Sequence, residues 1–292
     1  MPLYNHSMFK RFAVAGGIHI AADLSGDPLA PPVVLLHGGG QTRHSWHGAS
    51  AELVKCGYHV LNLDARGHGD SDWSPQGDYS LEALAADLET VTKTLSQPPA
   101  LVGASMGAAT ALYAAGNFGA EFARALVLVD FVPDMEAVGA QKILAFMNAN
   151  LGGFGSVAEA ADAVSAYNPH RARPSDYSGL KKNLRLRADG RWYWHWDPRF
   201  VSNAERGEPP QFGARLSDAA QRVRIPTLLV RGLLSDIVSD RGIAKLRAKL
   251  PALELFDVAG AAHMVAGDEN DSFNQGVIAF LRRQMPASVP IR

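Results

Sequence analysis

A single cysteine, Cys56, stands in a chain of 292 residues. It has no partner within the chain, so a disulfide-stapled secreted scaffold is excluded and a reducing, cytoplasmic compartment is expected. Charge excess is missing too: 28 Lys and Arg face 29 Asp and Glu, a net of −1. Without surplus cations there is nothing to displace counterions from a phosphate backbone, which argues against a nucleic-acid partner. The opening MPLYNHSMFKRFAVAGG lacks the unbroken apolar stretch of a secretory leader. The longest charge-free run, Thr94 to Ala120, is interrupted by Pro98, Pro99, Ser105 and several glycines. It reads as a buried strand followed by a buried helix rather than a membrane span. Repeats and low-complexity tracts are absent. What remains is a chain 47% apolar and 20% charged, long enough for one or two domains with a substantial core.

Short apolar runs punctuate the sequence at Val33–Leu36, Val60–Leu63, Ala100–Val102, Ala125–Val129 and Thr227–Val230. Each is bounded by Gly, Pro or a polar residue, as strands buried on both faces are. Helical patterns separate most of them. The clearest places Leu81, Leu84, Ala85, Leu88, Val91 and Leu95 on one stripe, with Ser80 as the expected N-cap. Alternating strands and helices predict a mostly parallel, twisted sheet covered by helices on both faces. Ahead of it, Phe9 to Leu24 flanks Ala15-Gly16-Gly17 and predicts an antiparallel hairpin. The spacing breaks between Val129 and Thr227, far more than one crossover helix needs. Residues 131–210 are therefore read as an inserted, mainly helical cap, and 1–130 with 211–292 as the α/β core. The insertion follows the C-terminal end of a strand, the edge where open α/β sheets bind ligands.

Chemistry concentrates at Gly103-Ala104-Ser105-Met106-Gly107. A G-x-S-x-G between a strand and a small-residue helix is the context of a nucleophile elbow. The sharp turn thrusts the serine hydroxyl out at the sheet edge, and the glycines remove side chains where strand and helix nearly touch. The helix N-terminus aims its N–H groups at developing negative charge. A serine needs a base. Of the ten histidines, His263 lies on a loop after a sixth expected strand, Leu253–Val258, at the same edge as Ser105. An orienting carboxylate is expected between them. Asp236, on the loop after Thr227–Val230, is the first choice. Asp130, ending an earlier strand, and Asp240, at the start of a helix, are the alternatives. The order Ser, Asp, His suits this architecture. The loop His37-Gly38-Gly39-Gly40 supplies the second oxyanion donor, assigned to the Gly39 N–H beside that of Met106. Gly38, Gly40, Trp46 and Trp194 are expected around the substrate.

Taken together these residues resemble the α/β-hydrolase fold, in its capped branch of esterases, C–C bond hydrolases, cofactor-free perhydrolases and epoxide hydrolases. The resemblance is carried by HGGG (37–40) with Trp46, by Asp64-Ala65-Arg66-Gly67-His68-Gly69-Asp70-Ser71, by GASMG (103–107), by Ile225–Gly232 with Asp236, and by Gly260-Ala261-Ala262-His263. It implies a Ser105–His263–Asp236 triad acting without cofactor or metal. Epoxide hydrolases and haloalkane dehalogenases use an aspartate where Ser105 stands. A serine there would form an ether that water does not readily cleave, so those substrates are not expected despite Tyr167, Tyr177 and Tyr193 in the insertion. HGGG resembles lipase-like esterases, but GASMG lacks their acidic residue after the first glycine.

Other features read as structural. The Asp64–Ser71 motif is expected to be a turn held by an Asp and Arg network. His44 and His47 sit at helical spacing without an evident third metal ligand. Trp192 to Trp196 either anchors the insertion or walls the pocket. Lys181, Lys182, Arg185, Arg187 and Arg191 read as a solvated face. The expected activity is hydrolysis of esters or lactones of small to medium apolar acyl compounds through an acyl-enzyme on Ser105. A perhydrolase or acyltransferase, or a C–C hydrolase, is the alternative on the same residues. A non-catalytic receptor or a cofactor-free oxygenase ranks below these.

Overall fold

The computed structural model describes residues 7–167, 176–206, 209–261 and 271–287. An eight-stranded sheet organises it, built from β1 (Met8–Val14), β2 (Ile18–Ser25), β3 (Pro32–Leu36), β4 (His59–Leu63), β5 (Ala100–Ala104), β6 (Ala125–Val129), β9 (Thr227–Gly232) and β10 (Glu254–Val258). Their spatial order is β1-β2-β4-β3-β5-β6-β9-β10. The β1–β2 and β2–β4 pairs are antiparallel, and every pair from β4 to β10 is parallel. The expected hairpin forms, turning through Gly16 and Gly17 at φ 77° and 72°. Every residue of β3, β4, β5 and β6 is buried, as the short apolar runs required.

Alternation along those strands feeds two cores. Val34, Leu36, Leu61, Leu101 and Leu126 point to one face. There they meet α2 (Leu81–Thr92), α3 (Met106–Asn117), α8 (Pro209–Arg222) and α9 (Asp240–Lys249). Val33, Leu35, Val60, Val102 and Val127 point to the other, against α1 (His47–Lys55) and α10 (Asp271–Gln284). Ser80 caps α2 as expected, its hydroxyl accepting the Ala83 N–H. The small residues of α3 permit close helix packing: a Cβ on Gly116 would come within 2.3 Å of the Ala219 carbonyl oxygen on α8.

Between β6 and β9 the chain leaves the sheet. It forms α4 (Ala137–Asn148), α5 (Val157–Tyr167), α6 (Ser178–Lys181), the antiparallel pair β7 (Leu184–Leu186) and β8 (Trp192–Trp194), and α7 (Pro198–Arg206). This segment has a small core of its own around Met147, Phe154, Leu184, Trp194, Trp196 and Val201. No helix among the described residues is long and apolar enough to cross a membrane.

Candidate active site

Ser105 is the residue between β5 and α3, and its backbone sits at φ 48°, ψ −112°. A non-glycine residue reaches this region only under constraint from its surroundings. The constraint is visible on both sides. A Cβ on Gly103 would lie 2.4 Å from the Gly107 carbonyl oxygen, and one on Gly107 would lie 2.3 Å from that of Leu36. Strand, turn and helix therefore interlock only with glycine at both positions. Gly38, Gly39, Gly40 and Trp194 line a cleft of about 1500 Å³ together with Ser105 and Met106, at the C-terminal edge of the sheet and under the inserted segment.

The 37–40 loop brings its peptides to the same cleft with their hydrogen bonds already assigned. The Gly38 N–H donates to Gln41 Oε1 (3.0 Å), and the Gly40 N–H donates to His68 Nε2 (3.2 Å). Among the described residues nothing accepts from the Gly39 N–H or from the Met106 N–H, which opens the first turn of α3. His37 fixes the direction of the Gly39 N–H. Its Nδ1–H donates to the Gly38 carbonyl (2.8 Å) while its Nε2 accepts the Ala65 N–H (3.0 Å). The Gly38 carbonyl and Gly39 N–H share one planar peptide, so holding the oxygen aims the N–H the opposite way. His37 is buried, and desolvation lowers its pKa from 6.5, keeping the imidazole neutral for this double role.

The two carboxylates weighed from the sequence occupy different environments. Ala104 pairs with Val129 across β5 and β6, so Ser105 and Asp130 leave the sheet side by side. Asp130 is fully buried, at φ 47°, and its carboxylate accepts from Ser235 Oγ (2.6 Å) and the Gly232 N–H (3.2 Å). Asp236 lies further along the loop after β9. Its side chain is 46% exposed and pairs with Lys142 Nζ of α4 at 3.2 Å. Asp240 opens α9 with a side chain 93% exposed and bonded to Arg231. His263 lies outside the described residues.

Trp46 corrects the sequence reading. The 37–40 loop leads into a short 3₁₀ turn, Arg43–Trp46, which precedes α1 and carries Trp46 to the opposite core. It is fully buried with its ring 6.1 Å from that of Phe273 and does not line the cleft. Trp194, by contrast, stacks on Trp196 with centroids 4.8 Å apart, and both line the cleft. The aromatic run thus serves as anchor and wall at once. Two of the basic residues beside it are spent locally: Arg187 covers the Tyr193 ring at 4.0 Å, and Arg191 donates to the Gly152 and Gly153 carbonyls.

The Asp64–Ser71 motif forms a turn whose arginine partner comes from outside it. Asp64, fully buried, accepts from the Arg43 N–H, the Arg43 guanidinium and the Asp70 N–H. Arg66 instead makes a two-pronged pair with Asp87 of α2, both bonds at 2.6 Å. The motif also receives the inserted segment. Asp197 accepts from Tyr79 Oη (2.5 Å), its N–H donates to the Gly67 carbonyl, and Arg199 reaches the Ser74 and Pro75 carbonyls. His195 accepts the Gly69 N–H at 2.7 Å. Sequence reading passed over His68 and His195. Their signal was present in the crowding of histidines beside glycines, but the contact joining positions 69 and 195 is not local.

Comparison with known proteins agrees with this geometry. The family model for the alpha/beta hydrolase fold matches residues 31–269. An esterase of Mycobacterium tuberculosis is 32% identical over 250 residues, covering 82% of this chain and 79% of that protein. An sn-1-specific diacylglycerol lipase of Mus musculus is 28% identical over 278 residues, 88% of this chain and 83% of that one. The crystal structure of an E-2-(acetamidomethylene)succinate hydrolase superposes with a TM-score of 0.83 at 24% identity, covering 94% of this chain and 99% of that one. The chain belongs to the α/β-hydrolase fold family and is a hydrolase.

Proposed function

We propose that the protein is a serine esterase that cleaves carboxylic esters of apolar acyl groups through an acyl-enzyme on Ser105. The observation that carries this reading is the strained Ser105 elbow beside two N–H donors that have no acceptor among the described residues, those of Gly39 and Met106, inside one cleft. His263 takes the Ser105 proton as Oγ bonds to the ester carbonyl carbon. The carbonyl oxygen, now negative, is held by the two N–H groups. When the carbon–oxygen bond to the alcohol breaks, His263 returns its proton to the departing oxygen. Water then adds to the acyl carbon, giving a proton to His263, and collapse returns that proton to Ser105 Oγ as the acid leaves.

The orienting carboxylate is assigned to Asp130 in preference to Asp236. An imidazolium partner is effective when desolvated and fixed, and Asp130 is buried and held by two donors, whereas Asp236 shares its charge with Lys142 and water. Ser105 follows β5 and Asp130 follows the adjacent β6, which brings the acid to the nucleophile's own edge. The inserted segment acts as a cap whose Phe146, Met147, Trp194 and Phe200 surround the acyl chain. The esterase and lipase named among the relatives support an ester substrate.

Incubation with a fluorophosphonate probe, followed by peptide mass spectrometry, tests the proposal. Labelling is expected on Ser105, absent in Ser105→Ala and strongly slowed in His263→Ala. A folded wild-type protein that resists the probe contradicts it.

A further inference from the structure

Three buried histidines surround the oxyanion loop, and one of them comes from the inserted segment. His195 is 2% exposed and lies just past β8. Its Nδ1 accepts the Gly69 N–H at 2.7 Å, so that nitrogen carries no proton. The proton must be on Nε2, which faces the Gly40 carbonyl oxygen at 3.3 Å. His68 grips the same glycine from its other side. Its Nε2 accepts the Gly40 N–H at 3.2 Å, and its Nδ1–H faces the Arg66 carbonyl at 3.2 Å. The His68 and His195 rings are 5.7 Å apart. Gly40 itself is in the left-handed region, at φ 73°.

We propose that His195 is a positioning residue for the oxyanion donor Gly39, acting through the Gly40 carbonyl. The route uses two planar peptides. His195 holds the Gly40 oxygen, and that peptide's other end is the Gln41 N–H, which donates to the Gly38 carbonyl at 3.1 Å. The Gly38 carbonyl shares its peptide with the Gly39 N–H. Fixing the first plane therefore fixes the second, and with it the direction in which Gly39 donates. The inserted segment thereby does more than cover the substrate: it completes the alignment of the site beneath it. Burial, followed by repulsion from His68, supports the required neutral form of His195 by lowering its pKa well below 6.5.

This inference rests on the oxyanion role proposed for Gly39, and the test separates the two. Histidine variants that keep one ring nitrogen distinguish alignment from bulk. In His195→Asn the amide oxygen stands in for Nδ1 and preserves the Gly69 contact, while the donor to Gly40 is lost. In His195→Gln the amide nitrogen stands in for Nε2 and restores that donor. With a p-nitrophenyl ester, His195→Asn is expected to lower kcat about tenfold or more with KM changed less than threefold. Affinity for a trifluoromethyl ketone, whose adduct carries an oxyanion, should fall in parallel, and His195→Gln should recover much of both. Equal behaviour of the two variants, or a change confined to KM, overturns the inference. The wild-type protein supplies an independent check through its long-range ¹H–¹⁵N spectrum. A His195 protonated at Nε2 is expected, and one protonated at Nδ1 overturns it. Failure of the wild type to take the fluorophosphonate on Ser105 would instead sink the esterase reading itself.

Discussion

At the residue scale, function depends on how few groups are left without a hydrogen-bonding task. Within Gly38-Gly39-Gly40 the two outer N–H groups are committed to Gln41 and His68, which singles out Gly39 as the donor with capacity to spare. The proposed preference for Asp130 over Asp236 rests on solvation in the same way. Asp130→Asn is expected to lower kcat by about 10³–10⁴-fold with little change in KM, because the amide neither fixes the imidazole tautomer nor balances the imidazolium. Asp236→Asn removes only a half-exposed pair with Lys142, and kcat should stay within about threefold. Steady-state kinetics of both variants on one ester decide between them, and the reverse ranking would return the role to Asp236. The elbow glycines carry a stability prediction. Gly107→Ala puts a methyl 2.3 Å from the Leu36 carbonyl oxygen. Overpacking against rigid backbone should cost about 3 kcal/mol, read as a lowered urea midpoint.

At the element scale, the inserted segment is fastened to the loops at the sheet edge along 183–199, in addition to the contacts of its first part through Glu136 and Lys142. Asn183 accepts from Thr42 Oγ1, Arg185 donates to the Gly69 carbonyl, His195 takes the Gly69 N–H, and Asp197 and Arg199 grip the 67–79 loop. Tyr79→Phe removes one donor from the buried Asp197 carboxylate and should destabilise the protein by about 1–3 kcal/mol. Calorimetry would show it, and an unchanged melting temperature would mean that Arg199 alone satisfies Asp197. The core elements were legible because each carries its own local cause: buried runs for β3 to β6, a 3.6-residue stripe with a serine cap for α2, a glycine pair for the first hairpin. The Ser105 turn was legible from its five-residue pattern between strand and helix, and the Gly103 requirement is local to it, whereas Gly107 is demanded by the Leu36 carbonyl of β3. Trp46 was misread because the 3₁₀ turn leading into α1 carries it to the opposite core, a placement its neighbours in sequence do not announce. The carboxylate was ambiguous because two strands end in loops bearing Asp, and only tertiary burial separates them.

At the scale of the whole molecule, three buried neutral histidines tie the sheet edge, the Asp64–Ser71 turn and the inserted segment into one unit. Those pairings join residues 28 and 126 positions apart, which is why no sequence pattern announced them. They give the fold a pH signature. Desolvation, then His37, lowers the His68 pKa from 6.5 to about 3, and burial also lowers those of His37 and His195. Below pH 6.5 the unfolded chain therefore binds protons that the folded one refuses, so stability rises with pH up to about 6.5 and is lost as pH falls below it. His68 alone should account for roughly 2 kcal/mol between pH 6.5 and 5. Urea unfolding at the two pH values measures it, with His68→Asn expected to flatten the dependence. A wild-type curve flat across this interval would mean that the histidines are charged in the folded state.

The proposal that a serine acyl-enzyme performs the chemistry is tested most directly by catching that species. The protein is mixed with a p-nitrophenyl ester, quenched in acid during the first turnover and weighed intact. A mass gain equal to the acyl group is expected, mapped to the peptide containing Ser105, arriving with a burst of p-nitrophenol and absent from Ser105→Ala. Turnover of the ester by Ser105→Ala at the wild-type rate, with no acyl group on the protein, would contradict it.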